Sequence, residues 1–388
     1  MIAKNPRSPY YNKSSVFRTY DISKCPIDVS GGMLFISFYS DFNSYYSYSN
    51  SILNSSMLND FVPYTFAWID IMIISDMSGI VKSLSKYCCA WIDYLASVDF
   101  PQCTYVGSSA FYSCYNLTSV SLPLCSYICW EAFALCRRLT SIDLPQCSYI
   151  GGQAFSDCYS LTTVNLPKCS YVSGSAFYSC YDLVSISLPL CSYIGKAAFK
   201  SCTALTSISL PLCSSVGSYA FYSCTALTSI NLPQCSYIES YAFYSCTALS
   251  SISLPNALEI GDYAFIGCTS LTTILLPQCS YVGSSAFYSC NALASISLPN
   301  CTYVGSCAFY SCYDLVSISL PLCSYIGKSA FYHCVSLTTI YLGYSKVVNY
   351  NYPFSYTALK SIYVPSSLLS AYQTDVYWSS LSSCLIGM

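Results

Sequence analysis

The sequence predicts a repeat solenoid of the α/β type: 22-residue coils, mostly strand and turn, with a parallel β-sheet on one face and a cap at each end. Three observations predict it. Leucine stands at 117, 139, 161, 183, 205, 227, 249, 271, 293, 315, 337 and 359, always 22 apart. Proline keeps that spacing from Pro101 to Pro321, gives way to Gly343, and returns at Pro365. The pair Ala-Phe recurs from Ala110-Phe111 to Ala330-Phe331 without a missed turn. A fixed period in the twenties marks coils stacked one on the next.

The coil "LTSISLPLCSSVGSYAFYSCTA", Leu205 to Ala226, shows how each element arises. Its opening "LTSISLP" alternates about Ile208 and Leu210, so it reads as a short strand with those two side chains inward and Ser207 and Ser209 outward. Equivalent strands of successive coils then lie side by side in a parallel sheet, about 4.8 Å apart. Pro211 ends the strand, where a missing ladder donor does little harm. Val216, Phe221 and the next coil's Leu227 turn inward again. Glycine follows that Val or Ile in most coils (Gly107, Gly151, Gly195, Gly217), which suits a tight turn. Cys129, Ser173 and Glu239 fill the same slot, so the turn does not demand a left-handed residue. One coil buries too few apolar side chains to offset the ordering of 22 residues, so the array needs neighbours and capped ends.

The ends depart from the pattern. "LASVDFP" (Leu95–Pro101) still fits the strand, with Phe100 in a leucine slot. Upstream, Cys88, Cys89 and Trp91 fall out of register. The division expected is therefore 1–94 as an N-terminal cap or small irregular region, 95–365 as the solenoid, and 366–388 as a C-terminal cap. A separate small domain or disordered arm is the alternative for 1–94. After Gly343 the coil degenerates: Leu359, Ile362 and Val364 keep their slots and Tyr356 takes a cysteine slot. Trp378 and Leu381 are expected to cover the last coil.

The coil pattern LxxIxLPxCxxIxxxAFxxCxxL resembles the BspA-like leucine-rich repeats, the group marked by Ala-Phe-x-x-Cys-x-x-Leu. The resemblance spans roughly Leu95 to Pro365 and is matched in eleven consecutive coils. The tail "VPSSLLSAYQTDVYWSSLSSCLIGM" is also similar to the C-terminal ends of such proteins. The resemblance implies a secreted or cell-surface protein of bacteria or protists, engaged in adhesion to a host, a matrix or a neighbouring cell.

Composition narrows the function classes. Of 388 residues, 54% are hydrophobic and only 8% are charged, so solubility rests on Ser, Thr, Asn and tyrosine hydroxyls. Net charge is −2, and no basic stripe addresses nucleic acid or an anionic membrane surface. The N-terminus "MIAKNPRSPYYNKSSVFRTY" has no apolar run and does not read as a secretory signal. Phe61–Val81 is the most apolar stretch, but Asp70 and Asp76 interrupt it, so it reads as buried core rather than a membrane span.

Cysteine is the most conspicuous residue type, with 27 in all. One row runs from Cys103 through Cys213 to Cys323 and skips a coil at Ala257; the other runs from Cys114 to Cys334 in every coil. Stacked side chains point in parallel, so their Cβ atoms stay near 4.8 Å rather than closing to the roughly 3.8 Å of a disulfide. The rows therefore read as small, buried, inward-turned thiols, the first bonded to neighbouring backbone. No Cys-x-x-Cys is present and His333 is the only histidine, so no metal site or cofactor is expected. The off-register Cys25, Cys88, Cys89, Cys129, Cys307 and Cys384 are the better candidates for redox chemistry.

Catalysis has little support. His333 stands in a slot that serine fills in other coils, and Asp143, Glu131, Glu239 and Asp262 are scattered on the coil surface without a pairing suited to glycoside hydrolysis. The chain is expected not to be an enzyme. What remains is surface. The candidate binding residues are the outward strand positions Ser185, Ser187, Ser207, Ser209, Ser229, Asn231, Ser251 and Ser253. To these are added Tyr127, Tyr149, Tyr171, Tyr193, Tyr237 and Tyr281 from the row after the first cysteines, and Tyr222, Tyr244 and Tyr288 from the row after Phe. Tyrosine joins a flat apolar body to a hydroxyl and loses little entropy on binding. The expected function is non-enzymatic binding or adhesion to protein or glycan. The alternatives are ice- or crystal-surface binding by the Ser/Thr array, or a purely structural scaffold.

Overall fold

The repeat coils wind as written. A computed structural model describes residues 81–343, 347–349 and 352–388, with the backbone of four short upstream strands, Thr19–Asp21, Met33–Leu34, Leu53–Asn54 and Ile73–Ser75. The molecule is a parallel-strand β-solenoid of 22-residue coils. Helix is confined among the described residues to Leu369–Gln373 and two 3-10 turns, Ser366–Leu368 and Ser379–Cys384.

In the coil Leu205–Ala226 the inward set is Leu205, Ile208, Leu210, Val216 and Phe221, all buried, together with Cys213 and Cys224. The first strand is Ser207–Ser209, with both serines exposed and Ile208 inward. It pairs in parallel with the next coil, Ser207 opposite Ser229, Ile208 opposite Ile230 and Ser209 opposite Asn231. The hydrogen-bonded ladder of first strands is broken twice, between Ser119–Ser121 and Ser141–Asp143 and between Ser185–Ser187 and Ser207–Ser209.

A second sheet was not foreseen. The two residues before the glycine slot, Ser215–Val216 here and Tyr–Ile or Tyr–Val in most coils, form a strand in every coil, and 13 such strands run unbroken from Ser83–Leu84 to Val348–Asn349. A third ladder follows it. The amides of Tyr219, Phe221 and Ser223 donate to the carbonyls of Ser240, Ala242 and Tyr244 in the next coil, while those of Ala220, Tyr222 and Cys224 close local turns onto Gly217, Tyr219 and Phe221. The alternation requires left-handed backbone at every second donor: Tyr219 has φ 61° and Ser223 φ 57°, and the same two positions are left-handed in the other coils. A left-handed non-glycine residue costs roughly 1–2 kcal/mol. Each one here turns an amide onto the neighbouring coil, so the strain is offset by a ladder bond.

The glycine slot has a different reason from the one expected. Gly217 does not have positive φ; instead a Cβ there would lie 2.8 Å from the backbone of Gly195 and Lys196 in the preceding coil. Close approach of backbones, not turn conformation, favours glycine. Gly343 shows this at its sharpest, since a Cβ would overlap the carbonyl of Pro321. This accounts for the one place between Pro101 and Pro365 where the proline period fails.

Two register assignments are corrected. Cys88 and Cys89 do keep the repeat: both are buried, and the Cys89 amide donates to the Ala110 carbonyl at 2.8 Å. They stand in the Ala and Phe slots, and Ser83–Leu84 pairs with Tyr105–Val106 at the usual offset of 22. The next strand back, Ile73–Ser75, pairs with Ser97–Asp99 at an offset of 24, so two extra residues hide the period. At the other end Tyr356 does not take a cysteine slot. Phe354 stacks on Phe331 at 5.5 Å, one residue later than the period predicts, which moves Tyr356 to the left-handed position (φ 58°) and leaves it 68% exposed. Of Phe61–Val81, only Val81 has a described side chain, and it is buried; Ile73–Ser75 is a strand by its backbone, and the reading of this segment as core otherwise lies outside the described residues.

The core is threaded by one aromatic column. Phe111 to Phe331 stack coil on coil with ring centroids 5.0–5.3 Å apart, and Phe354 continues the column to Trp378. Trp378 and Tyr372 are fully buried and hold the chain at Val347, the indole donating to its carbonyl at 3.1 Å and the phenol accepting from its amide at 2.9 Å. Leu381 packs half-buried against the core, and the last strand, Leu385–Gly387, pairs with Ser361–Val364.

The same stacking explains the missing charge. Any residue type repeated at one slot stands beside its own copy about 4.8 Å away, where like charges repel. Between residues 82 and 343 no two charged residues are 22 apart. Charges occur singly against neutral neighbours: Asp143 accepts from Asn165 at 2.9 Å, Lys168 donates to Gln146 at 2.6 Å, and Arg137 lies between the rings of Tyr115 and Tyr159 at 4.9 and 5.3 Å.

Truncating the column should be costly and truncating the outward face should not. Phe221→Ala is expected to lower unfolding stability by about 3–5 kcal/mol, and Ser209→Ala to change it by about 0.5 kcal/mol or less, read from urea denaturation midpoints. Equal shifts for the two would contradict the inward and outward assignment.

Candidate functional site

All eight outward Ser and Asn candidates lie on the first-strand face, and they line two shallow grooves. One, of about 380 Å³, is bordered by Ser207, Ser209, Ser229, Asn231, Ser251 and Ser253, with Ile208, Ile230 and Ile252 as its floor. The other, of about 400 Å³, is bordered by Ser185 and Ser187 together with Asp143, Thr163 and Asn165 over Ile142, Val164 and Ile186. The floor isoleucines are the least deeply buried of the inward set, with Ile208 and Ile252 5% and 7% exposed against 0% for Leu205 and Phe221. The face therefore offers rows of hydroxyl and amide groups flanking a thin apolar seam, with Asp143 the one charge on the groove walls.

The tyrosines stand elsewhere. Tyr127, Tyr149, Tyr171, Tyr193, Tyr237 and Tyr281 belong to the second-strand sheet, and Tyr222, Tyr244 and Tyr288 to the turn ladder. The structure does not bring them onto the serine face. A third column, Tyr219, Tyr241 and Tyr263, was missed as a row because it occupies only three coils. Nor are most of the ring faces open. Tyr127 and Tyr149 stack at 4.4 Å, Tyr171 and Tyr193 at 4.9 Å, Tyr222 and Tyr244 at 4.6 Å. In these pairs each ring presents its edge and hydroxyl to solvent while a face meets the ring of an adjacent coil; Tyr237, between Ser215 and Glu259, is the exposed exception. Lys200 fills a gap in the turn column, its ammonium 4.8 Å from the Tyr222 ring.

Both thiol rows are hydrogen-bonded inside the coil. Cys213 donates to the Ser215 carbonyl at 3.2 Å, two residues on, and its equivalents do the same. Cys224 donates to the Phe199 carbonyl of the preceding coil at 3.1 Å, as do its counterparts. The described cysteines are free thiols, and all but Cys307 and Cys384 are buried. Burial pushes the thiols up, Cys213 to about 11 and Cys235 to about 12, with backbone hydrogen bonds acting weakly the other way. Cys25 lies outside the described residues. Of the off-register thiols, Cys129 has a notable partner, its Sγ lying 2.9 Å from the Tyr105 hydroxyl.

His333 is exposed and meets Tyr313 and Tyr356 edge-on at 5.7 and 5.9 Å. Among the described residues no three His, Cys, Asp or Glu side chains gather as a metal-holding group, and no helix is long and apolar enough to cross a membrane.

Comparison with known proteins agrees with this architecture. The family model "BspA type Leucine rich repeat region (6 copies)" matches residues 82–191, 170–293 and 280–386. A leucine-rich repeat protein from Bacteroides ovatus is similar in structure with a TM-score of 0.59 and 24% identity, over 84% of this chain and 97% of that one. A leucine rich cell surface protein from Faecalibacterium prausnitzii aligns over the same shares at 21% identity and a TM-score of 0.39. No curated protein matches the chain.

The raised thiols predict alkaline instability. An unfolded thiol ionises near 9 and a folded one two or more units higher, so above pH 9 the unfolded chain holds fewer protons and stability falls as pH rises. Each thiol contributes a slope of roughly 1.4 kcal/mol per pH unit. Thermal melts are expected to be level from pH 6 to 8 and to drop steeply above 9. At pH 8 an alkylating reagent should label Cys307 and Cys384 in the folded chain and the row cysteines only after denaturation.

Proposed function

The chain belongs to the BspA-type leucine-rich repeat family, and from that premise we propose that it is a non-enzymatic binding and adhesion protein that engages a protein or glycan partner at the cell surface. The observation that carries the reading is the first-strand face. Hydroxyls and amides stand in register there from coil to coil, with an apolar seam between them and almost no charge. A neutral polar face with a narrow apolar floor suits a partner that offers many donors and acceptors, such as an extended peptide or an uncharged saccharide. Each coil repeats the same few contacts, so weak contacts add along the length of the array. The neutrality leaves association without electrostatic steering, since no field of one sign covers the face.

The tyrosine columns support the reading in a secondary way. Their edges and hydroxyls extend polar surface around the coil, while most of their faces, Tyr237 apart, are occupied by stacking. They are therefore better suited to donating hydrogen bonds than to stacking on a sugar or a side chain.

Ice- or crystal-surface binding is the second reading, favoured by the in-register hydroxyl columns. Leu275, 67% exposed, and Tyr341 break those columns, so it ranks below.

The test is binding of the full chain to immobilised matrix proteins and neutral polysaccharides. Ser229→Arg with Asn231→Arg, which places like charges in the groove, should weaken binding at least tenfold. Removing whole 22-residue coils from 185–253 should weaken it stepwise. Binding that survives both changes would overturn the assignment to this face.

A further inference from the structure

The tyrosine columns carry chemistry that a binding role does not use. On the turn ladder, Tyr222 and Tyr244 stack at 4.6 Å with their planes 2° apart. Beside them Tyr219 and Tyr241 stack at 4.7 Å and 4°, and Tyr241 and Tyr263 at 4.6 Å and 16°. All five are half-buried, and each pair joins one coil to the next. The rings are held parallel because the backbones beneath them are in register and because the left-handed position fixes the departure of Tyr219, Tyr241 and Tyr263.

We propose that these facing tyrosines are a site of oxidative modification, in which Tyr222–Tyr244 and one of Tyr219–Tyr241 or Tyr241–Tyr263 are joined as dityrosine by a haem peroxidase and hydrogen peroxide, bracing adjacent coils covalently. The geometry matches the reaction. Loss of one electron and the phenolic proton from a tyrosine leaves a phenoxyl radical with spin on the ring carbons ortho to oxygen. The half-filled p orbital at that carbon points perpendicular to the ring plane, so two parallel rings aim their radical carbons at one another. A carbon–carbon bond forms between the two ortho carbons. Each carbon then gives up its hydrogen as a proton while a proton returns to each oxygen, and both phenols are restored. Two tyrosines have lost two electrons and two protons in all. Hydrogen peroxide accepts them and becomes two waters. Holding the partners face to face in advance removes the entropic cost of their encounter.

The position of the thiols says why tyrosine rather than cysteine braces the coils; Tyr288 and Tyr310, stacked at 4.6 Å, and Tyr303 and Tyr325, at 4.7 Å, meet the same geometric condition. Disulfide bracing is denied to the coils, since the row cysteines are buried and donate to carbonyls. In the column Tyr105, Tyr127, Tyr149 the rings lie 5.7 and 4.4 Å apart, and the Cys129 thiol sits 2.9 Å from the Tyr105 hydroxyl. A hydrogen atom passed from that thiol to the Tyr105 phenoxyl oxygen breaks the S–H bond, restores the phenol and leaves the unpaired electron on the Cys129 sulfur, so this ring is withdrawn from coupling. No such thiol contact is made by Tyr222, Tyr244, Tyr219, Tyr241 or Tyr263 among the described hydrogen bonds.

The experiment treats the dilute full chain with a haem peroxidase and limiting hydrogen peroxide, then reads dityrosine fluorescence, intact mass and cross-linked peptides. The expected product is monomeric, lighter by two hydrogens for each link, with links between tyrosines 22 residues apart and Tyr222–Tyr244 prominent. Tyr222→Phe should abolish that link and leave those of Tyr241. Cys129→Ala should raise the Tyr105–Tyr127 link severalfold. Chain unfolded in urea before treatment should lose the 22-residue pairing. Links that join tyrosines at other separations, products that are chiefly dimers, or the same link map from folded and unfolded chain would each overturn the proposal.

Discussion

Everything in this molecule depends on one constraint: the backbone amides of a coil that do not close a local turn must find carbonyls in an adjacent coil. A coil has no regular hydrogen bonding of its own beyond its tight turns. Its first strand, second strand and turn segment all bond outward, to the coil before or after. A single coil would leave those groups unpaired, and the paired groups fix the register of the whole array. The period of 22 is thus a hydrogen-bonding condition before it is a packing one. An inserted residue would displace every donor beyond it, which is why the two local departures, near Ile73 and near Phe354, lie toward the ends of the described array.

Columns follow from register. When residue n always lies over residue n + 22, each slot is chosen for what it does beside its own copy. Phenylalanine stacks well on phenylalanine and fills the centre. Cysteine is small, tolerates burial, and supplies a weak donor to a carbonyl that the tight turns leave with spare capacity. Serine between the two cysteine-side turns bonds back to the carbonyl of its own copy, as Ser214 does to Ser192 at 3.2 Å. A side chain can be abundant here for reasons that have nothing to do with reactivity.

The sequence disclosed the slots that have one letter. Leu, Pro, Ala-Phe and Cys set the period, and the outward serines of the first strand were legible because they alternate with isoleucine. The second strand was not legible, although Tyr–Ile or Tyr–Val recurs there, because two residues are too few to show alternation. The left-handed positions were hidden by their variety: Tyr219, Glu131, Ala197 and Cys307 share one of them, and no residue preference marks it. The glycine slot was visible but misread, since a sequence cannot distinguish a glycine needed for conformation from one needed for clearance. Cys88 and Cys89 were misplaced because cysteine stands where alanine and phenylalanine are usual and two extra residues precede them. The tyrosine rows were found, but not that most of their faces are covered, which depends on a spacing between coils that no single coil reveals.

The scarcity of stacked charge has a consequence for the surroundings this protein can tolerate. Ionic strength acts on a fold through exposed charges within a Debye length of one another, about 8–10 Å in ordinary saline. Here neighbouring coils offer neutral partners wherever a charge occurs, and the array is held by backbone bonds, stacked rings and buried thiols. Dilution, brine or a change of counterion therefore has little on which to act. A surface built this way keeps the same shape in fluids whose salt content varies widely.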